Sequence, residues 1–342
     1  MSRSVTPTRV VLRPYADQDE AGVLELLDAA LGGGPAGRRP AAFFRWKHLD
    51  NPFGRSYLLV ADDGERLVGL RAFLRWQLEA GGAGIHAVRA VDTATHPDVQ
   101  RTGLFSRLTR AALDELAGEA DLVFNTPNDK SRPGYLKLGW QPVGRVPIAL
   151  RVRRPLRLAR GLRDPGRLGP RPPVDAQPAA RLLAERPAAL GRLLAAAATP
   201  EDPRLRTRRD LAFLRWRYGA APLLDYRAVS VDRSGELAGV ALFRVRPRAG
   251  AWEATVAEVL VADGDRRAAG RLLGAVAAAA PVDHLTCHLP AGSAAAAAAR
   301  RRGFVRAPGG MTLVVKPLRD GIRPDPTRLG SWAVSLGDLE VF

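Results

Sequence analysis

Pro97-Asp98-Val99-Gln100-Arg101-Thr102-Gly103-Leu104-Phe105 decides how this 342-residue chain is read. The stretch follows a strand-like run, Ile85 to Thr95, and opens a helix-like run, Ser106 to Leu116. A strand that feeds a Gly-bearing loop into a helix gathers backbone N–H groups at the positive end of the helix dipole. That makes an anion site, and a pyrophosphate is its natural guest. Gly-bearing strand-to-helix turns also occur as ordinary turns in many α/β folds, so the rest of the chain must arbitrate.

The chain repeats itself. Ala42-Phe43-Phe44-Arg45-Trp46-Lys47 recurs as Ala212-Phe213-Leu214-Arg215-Trp216-Arg217, a shift of 170 residues. At the same shift Leu67-Val68-Gly69 meets Leu237-Ala238-Gly239, and Phe73 meets Phe243. Gly103 pairs with Gly270 and Gly139-Trp140 with Gly303-Phe304 at slightly smaller shifts. Matches in the same order with slowly shrinking spacing read as a duplicated domain.

In the first copy the patterning predicts strand Arg9–Arg13, helix Glu20–Leu31, a helix over Phe43–His48, and strands Tyr57–Ala61 and Leu67–Leu78. After the loop and its helix come strand Asp121–Asn125, a short helix about Ser131–Leu138 and strand Gln141–Arg151. The second copy runs from about Thr207 to Pro317, with hairpin strands Tyr226–Val231 and Leu237–Arg246 turned by Ser234-Gly235. Arg151–Pro178, with its eight Arg up to Arg171, reads as a linker, and Ala179–Ala198 as one helix. Interleaved strands and helices give an α/β fold.

The Ser131 helix carries Arg132-Pro133-Gly134-Tyr135-Leu136-Lys137-Leu138-Gly139-Trp140. Together with the Pro97–Phe105 loop, this resembles the two signatures of the GNAT acyltransferase superfamily. The family's loop reads Arg or Gln, two residues, Gly, one residue, then Gly or Ala; Phe105 departs from it at the last position. The resemblance implies tandem GNAT folds, the second degenerate, and acetyl-CoA as acyl donor with no metal. It implies a domain plan of 1–153 as the catalytic GNAT domain and 154–200 as linker and helix. The plan continues with 201–318 as the degenerate copy and 319–342 as a tail.

Cofactor contacts are implied for Thr93, Ala94 and Thr95 at the strand end, and for Gln100, Arg101, Thr102, Gly103, Leu104 and Phe105 in the loop. Asn125 and Asn128 stand where the family holds the pantetheine arm, and equally where Asn forms turns. Tyr135 stands four residues before Gly139, as the family's thiolate-protonating tyrosine does; a core aromatic with a satisfied hydroxyl is the other reading. An amine would attack the thioester directly, with main-chain N–H groups steadying the oxyanion where Ile85–Thr95 splays from its neighbour. Asp92, His86 and His96 are candidate bases. The tandem arrangement also resembles the enhanced intracellular survival acetyltransferases, which implies the terminal carboxylate of Phe342 as a further candidate.

In the second copy Gly264 replaces the loop Pro, and Ala299 stands where the first has Tyr135. No thiolate donor remains there, so this half reads as structural. The repeated Arg45-Trp46 and Arg215-Trp216 read as core packing with a buried ion pair or as substrate contacts. Packing is the preferred reading, because both copies carry them and only one looks catalytic.

A net charge of +17 carried almost wholly by Arg would suit a polyanion, yet no aromatics interleave with the Arg residues as base stacking requires. Nucleic acid is therefore not the expected partner; a small-molecule amine is. Two rivals stay open: a transferase using aminoacyl-tRNA, which also pairs GNAT-like folds, and a non-catalytic acyl-CoA-binding protein. Met1–Pro14 lacks the apolar run of a secretory leader, no stretch is long enough to span a bilayer, and there is a single Cys. The expectation is a cytoplasmic protein.

Overall fold

The computed structural model describes residues 10–32, 40–166 and 168–340. The first copy runs through β1 (Val11–Pro14), α1 (Glu20–Leu31), α2 (Ala41–His48), β2 (Tyr57–Asp62) and β3 (Leu67–Ala80). It continues with β4 (Ala83–Thr95), α3 (Leu104–Leu116), β5 (Leu122–Asn125), α4 (Arg132–Lys137) and β6 (Gln141–Val146). Next come β7 (Ala149–Val152), α5 (Pro155–Arg163), β8 (Gln177–Pro178), α6 (Ala179–Glu185), α7 (Pro187–Ala197) and β9 (Arg206–Thr207). The second copy repeats the order in α8 (Leu211–Leu214), β10 (Tyr226–Arg233), β11 (Glu236–Arg248), β12 (Ala251–Val261) and α9 (Arg266–Ala279). It closes with β13 (His284–Cys287), α10 (Ala294–Arg301), β14 (Val305–Arg306), β15 (Met311–Pro317) and the short α11 (Leu336–Leu339).

The fold is mixed α/β, with two mixed sheets flanked by helices. One sheet has the order β1-β2-β3-β4-β5-β15-β6, with β9 paired to the end of β3; the other has the order β14-β7-β13-β12-β11-β10-β8. The chain forms two compact units: Met1–Gln77, Ile85–Pro142 and Val314–Ile322 make the first, and Leu78–Gly84, Val143–Leu313 and Arg323–Phe342 the second.

The expected plan set domains at 1–153 and 201–318; within those bounds one strand of each copy pairs in the sheet built mainly by the other copy. The strand expected over Gln141–Arg151 breaks at Pro147 into β6 and β7, since Pro has no N–H for a ladder. β7 pairs antiparallel with β13 in the second sheet, while β15 pairs antiparallel with β5 in the first. Each copy thus completes the sheet of the other. The expected linker holds α5, and the expected single helix Ala179–Ala198 divides into α6 and α7 because Pro187 interrupts it.

Within the first unit, α3 lays Leu104, Leu108, Ala112 and Leu116 on one face, all buried at a spacing of four. Each buried Leu contributes about 2 kcal/mol of transfer free energy. The face packs on Leu59, Val68, Phe73, Val88 and Val123. The repeated Gly69 and Gly239 have one cause: a Cβ there would lie 2.7 Å from Leu108 and 2.9 Å from Leu272, side chains of the two equivalent helices. On the other face of the first sheet, α1 and α2 bury Val23, Leu26, Leu27 and Phe44.

Candidate active site

β4 and β5 run parallel, with register Ala87↔Leu122, Val88↔Val123 and Arg89↔Phe124. β4 continues to Thr95 while β5 ends at Asn125, whose partner lies on β15. The two strands therefore diverge beyond Arg89, and Thr93, Ala94 and Thr95 line the divergent end of β4. Past it the chain makes a 3-10 turn, Pro97–Val99, and reaches Gly103, the N-cap of α3, at φ 83°. Arg101 is also left-handed at φ 65°. A Cβ on Gly103 would meet nothing within 4 Å, so backbone conformation rather than space calls for Gly there. Gln100, Arg101, Thr102 and Gly103 are exposed. Ser106 N and Arg107 N donate to Gly103 O, so the amides that helix geometry leaves for this loop are those of Leu104 and Phe105.

Phe105, the irregular residue of the loop, turns inward. Its ring stands 5.8 Å from that of Tyr135 at 84°, and the bare Cα of Gly134 accommodates its edge. Leu104 is buried beside it. Phe105 thus packs against α4, on Tyr135 and Gly134.

Tyr135 is 5% exposed and also meets Trp140 at 5.2 Å. Its hydroxyl accepts a hydrogen bond from Nη1 of Arg71 at 3.1 Å, and the same nitrogen reaches Thr93 Oγ1 at 2.5 Å. Arg71 is wholly buried and was missed in the sequence; a lone cation inside the apolar run Val68–Leu74 was the signal available.

Asp92 sits at φ 39°, and its side chain is 5% exposed. Its Oδ2 lies 2.6 Å from Lys47 Nζ and 3.0 Å from His48 Nε2, while His48 Nδ1 lies 2.9 Å from Ser56 Oγ. Ser56 is half-buried. The buried cation of the repeated motif is thus Lys47, and in the second copy Arg217, two residues beyond the expected Arg45 and Arg215. Arg45 is exposed and pairs with Glu20 at 2.6 Å, whereas Trp46 and Trp216 are buried as expected. His86 is exposed, and His96 is engaged with Arg66 and the amide of Asp98. Phe342 lies outside the described residues.

Asn125 is buried, and its Oδ1 has no hydrogen-bond partner among the described residues. An orphaned acceptor where β4 and β5 part fits an amide-bearing ligand arm. Asn128 is exposed and spends its Oδ1 on the amides of Lys130 and Ser131, a turn.

The equivalent divergence in the second unit is filled from within. The parallel register of β12 and β13 ends at Val256↔Cys287. Leu336 N donates to His288 O there, and a Cβ on Gly337 would lie 3.0 Å from Ala257 O. Arg217 donates to the carbonyls of Gly337 and Glu340 and to Tyr226 Oη, while Arg209 bridges Asp338 and Glu258. Burial, together with the nearby Asp338 carboxylate, pushes the Glu258 carboxyl above its ordinary range against the pull of Arg209.

Residues 11–143 match the family described as Acetyltransferase (GNAT) domain. Those residues therefore carry a GNAT acetyltransferase domain, a fold that implies an acyl-CoA donor and a small-molecule or peptide acceptor. Solved structures agree on the fold. A probable N-acyltransferase from Enterococcus faecalis is 12% identical, with TM-score 0.63 over 91% of this chain and 73% of its own. A GCN5-related N-acetyltransferase from Anabaena variabilis is 11% identical, with TM-score 0.59 over 91% and 73%. Eis1 from Mycobacterium abscessus is 16% identical, with TM-score 0.54 over 91% and 74%. No curated protein sequence matches the chain. Among the described residues no helix is long and apolar enough to cross a membrane, and no group of three or more His, Cys, Asp or Glu could hold a metal ion.

Proposed function

We propose that the chain is an acetyl-CoA-dependent N-acetyltransferase that works in the cytoplasm on a primary amine of a small molecule, of the aminoglycoside or amino-sugar kind. The observation that carries this reading is the left-handed Gly103 at the head of α3, set beside diverging strands with Tyr135 behind it. The loop Gln100–Phe105 and the α3 N-terminus would hold the pyrophosphate. The main chain of Thr93–Thr95 and the orphaned Oδ1 of Asn125 would hold the pantetheine arm.

Bound acetyl-CoA supplies an activated acyl group and a thiolate leaving group. Tyr135 would give its proton to the departing sulfur. For the proton of the attacking amine, Ser56 and His48 form a short path, with Asp92 orienting the imidazole from its other nitrogen. The second copy takes no part in the chemistry: it has Ala299 for Tyr135, and its divergence is filled by residues 335–340.

Calorimetric titration with acetyl-CoA, free CoA and tRNA tests the reading. Binding of acetyl-CoA and CoA is expected. Silence with both overturns it, and salt-dependent binding of tRNA alone would favour an aminoacyl-tRNA donor.

A further inference from the structure

We propose that Arg71 is a positioning residue for acyl transfer, acting through Tyr135; the inference rests on the acetyl-transfer reading above. Arg71 lies on β3 with no accessible surface. Its guanidinium stacks over the ring of Phe73 at 4.2 Å and lies 5.3 Å from the ring centre of Tyr135. Nε and Nη2 have no hydrogen-bond partner, and no carboxylate pairs with the group among the described residues. A buried cation without a counter-ion is costly, so its presence asks for negative charge that arises nearby.

Acyl transfer supplies that charge. As the amine nitrogen bonds to the thioester carbon and the C–S bond breaks, the electron pair goes to sulfur. Tyr135 Oη gives its proton to that sulfur and is left as phenolate, then regains a proton from the one the amine sheds. Arg71 serves both stages. Its Nη1 donates to the phenol oxygen and occupies a lone pair, which leaves the Tyr135 proton directed away from Arg71. Its charge then lies 3.1 Å from the phenolate oxygen. Thr93 Oγ1, held by the same Nη1, fixes the guanidinium against the divergent end of β4.

The second copy is an internal control. The register Leu59↔Arg71 in one sheet corresponds to Val229↔Ala241 in the other. Tyr135 corresponds to Ala299. Arginine and tyrosine are present together in the copy with the loop, and both positions are Ala in the copy whose divergence the tail fills. An arginine needed only to build the sheet would have no reason to leave with the tyrosine.

The test is a double-mutant cycle on the full chain. Thiol release from acetyl-CoA is followed with an aminoglycoside or spermine as acceptor, beside calorimetry of acetyl-CoA binding. Arg71→Met should lower kcat on the order of 10- to 100-fold, the scale of a weakened general acid, with KM and Kd for acetyl-CoA within about twofold. Arg71→Lys should recover much of the loss, because it restores a charge and a donor. In a Tyr135→Phe background Arg71→Met should cost less than about threefold more, since the two act as one unit. Retained acetyl-CoA binding reports that each variant is folded.

Full multiplication of the two losses, or an unchanged kcat in Arg71→Met, overturns the proposal while leaving the acetyltransferase reading intact. Loss of acetyl-CoA binding in Arg71→Met would assign Arg71 to the fold instead. An unaltered chain that neither binds acetyl-CoA nor releases thiol overturns both.

Discussion

Asp92 and Thr93, consecutive on β4, commit their side chains to opposite faces of the sheet. Asp92 turns to Lys47 and His48 on the α2 side, and Thr93 to Arg71 and Tyr135 on the α3–α4 side. A strand alternates its side chains in any case, but Asp92 does so from φ 39°, a left-handed conformation that costs a non-Gly residue about 1–3 kcal/mol. Such strain persists only where surrounding contacts over-determine it. Here the ion pair on one side and the arginine bridge on the other do so.

Asp92→Asn should therefore be strongly destabilising although it is nearly isosteric and tolerates the same backbone. It removes the carboxylate charge that lies 2.6 Å from the Lys47 ammonium, which is 1% exposed. Removing one partner of a buried pair costs about 3–5 kcal/mol. Equilibrium urea unfolding should show that loss, whereas Arg45→Ala, which breaks an exposed pair two residues earlier, should be indistinguishable from the unaltered chain.

Gly103→Ala separates conformation from space. No atom obstructs the added methyl, so any effect comes from φ 83°, which costs an L-residue about 1–2 kcal/mol. If the loop holds the pyrophosphate, acetyl-CoA affinity should fall further than that of Gly84→Ala, an exposed change with equally open space at an ordinary φ. Equal affinities in the two variants would detach the loop from the cofactor.

Glu253 sets a stability dependence on acid. Burial pushes its carboxyl up, but bonds from His284 and Thr255 and the charges of Arg246 and Arg248 outweigh it and hold the group at about 2. Because the folded value lies below the ordinary 4.5, its contribution is present above that pH and disappears as pH falls toward 2. The difference corresponds to about 3 kcal/mol. Glu253→Gln should lose that amount at pH 7, and the gap to the unaltered chain should close between pH 5 and pH 2. A gap that stays constant with pH would show that the carboxylate charge is not what stabilises.

The loop, Tyr135 and the duplication were legible because turn chemistry and periodicity are local properties. Gly103 had to be Gly for its own φ, and α3 declared itself through Leu104, Leu108, Ala112 and Leu116. The exchange of β7 and β15 was not legible. Both are short runs suited to either sheet, and which neighbour they take depends on distant strands. Lys47 and Arg45 could not be ranked either, since a two-residue difference on a helix end changes which face is buried. Arg71 showed only as a charge in an apolar run; that its nitrogen meets Tyr135, 64 residues on, is a fact of packing.

The filling of the second unit can be tested at Gly337. A Cβ there would fall 2.0 Å from Tyr218 Oη and 3.0 Å from Ala257 O. Neither neighbour gives way readily: Tyr218 is 2% exposed with its ring held edge-on by Phe213 and Tyr226, and Ala257 O belongs to β12. Gly337→Ala must therefore displace the short helix α11, at an overpacking cost of about 1–3 kcal/mol. Displacement would weaken the bond from Leu336 N to His288 O and the grip of Arg217 on Gly337 O. Hydrogen exchange at Leu336 should accelerate, while amides of α3 in the first unit keep their protection. Were Leu336 to stay protected, the tail would be seated by Arg209 and its carboxylates alone, and Asp338→Ala would then be the change that releases it.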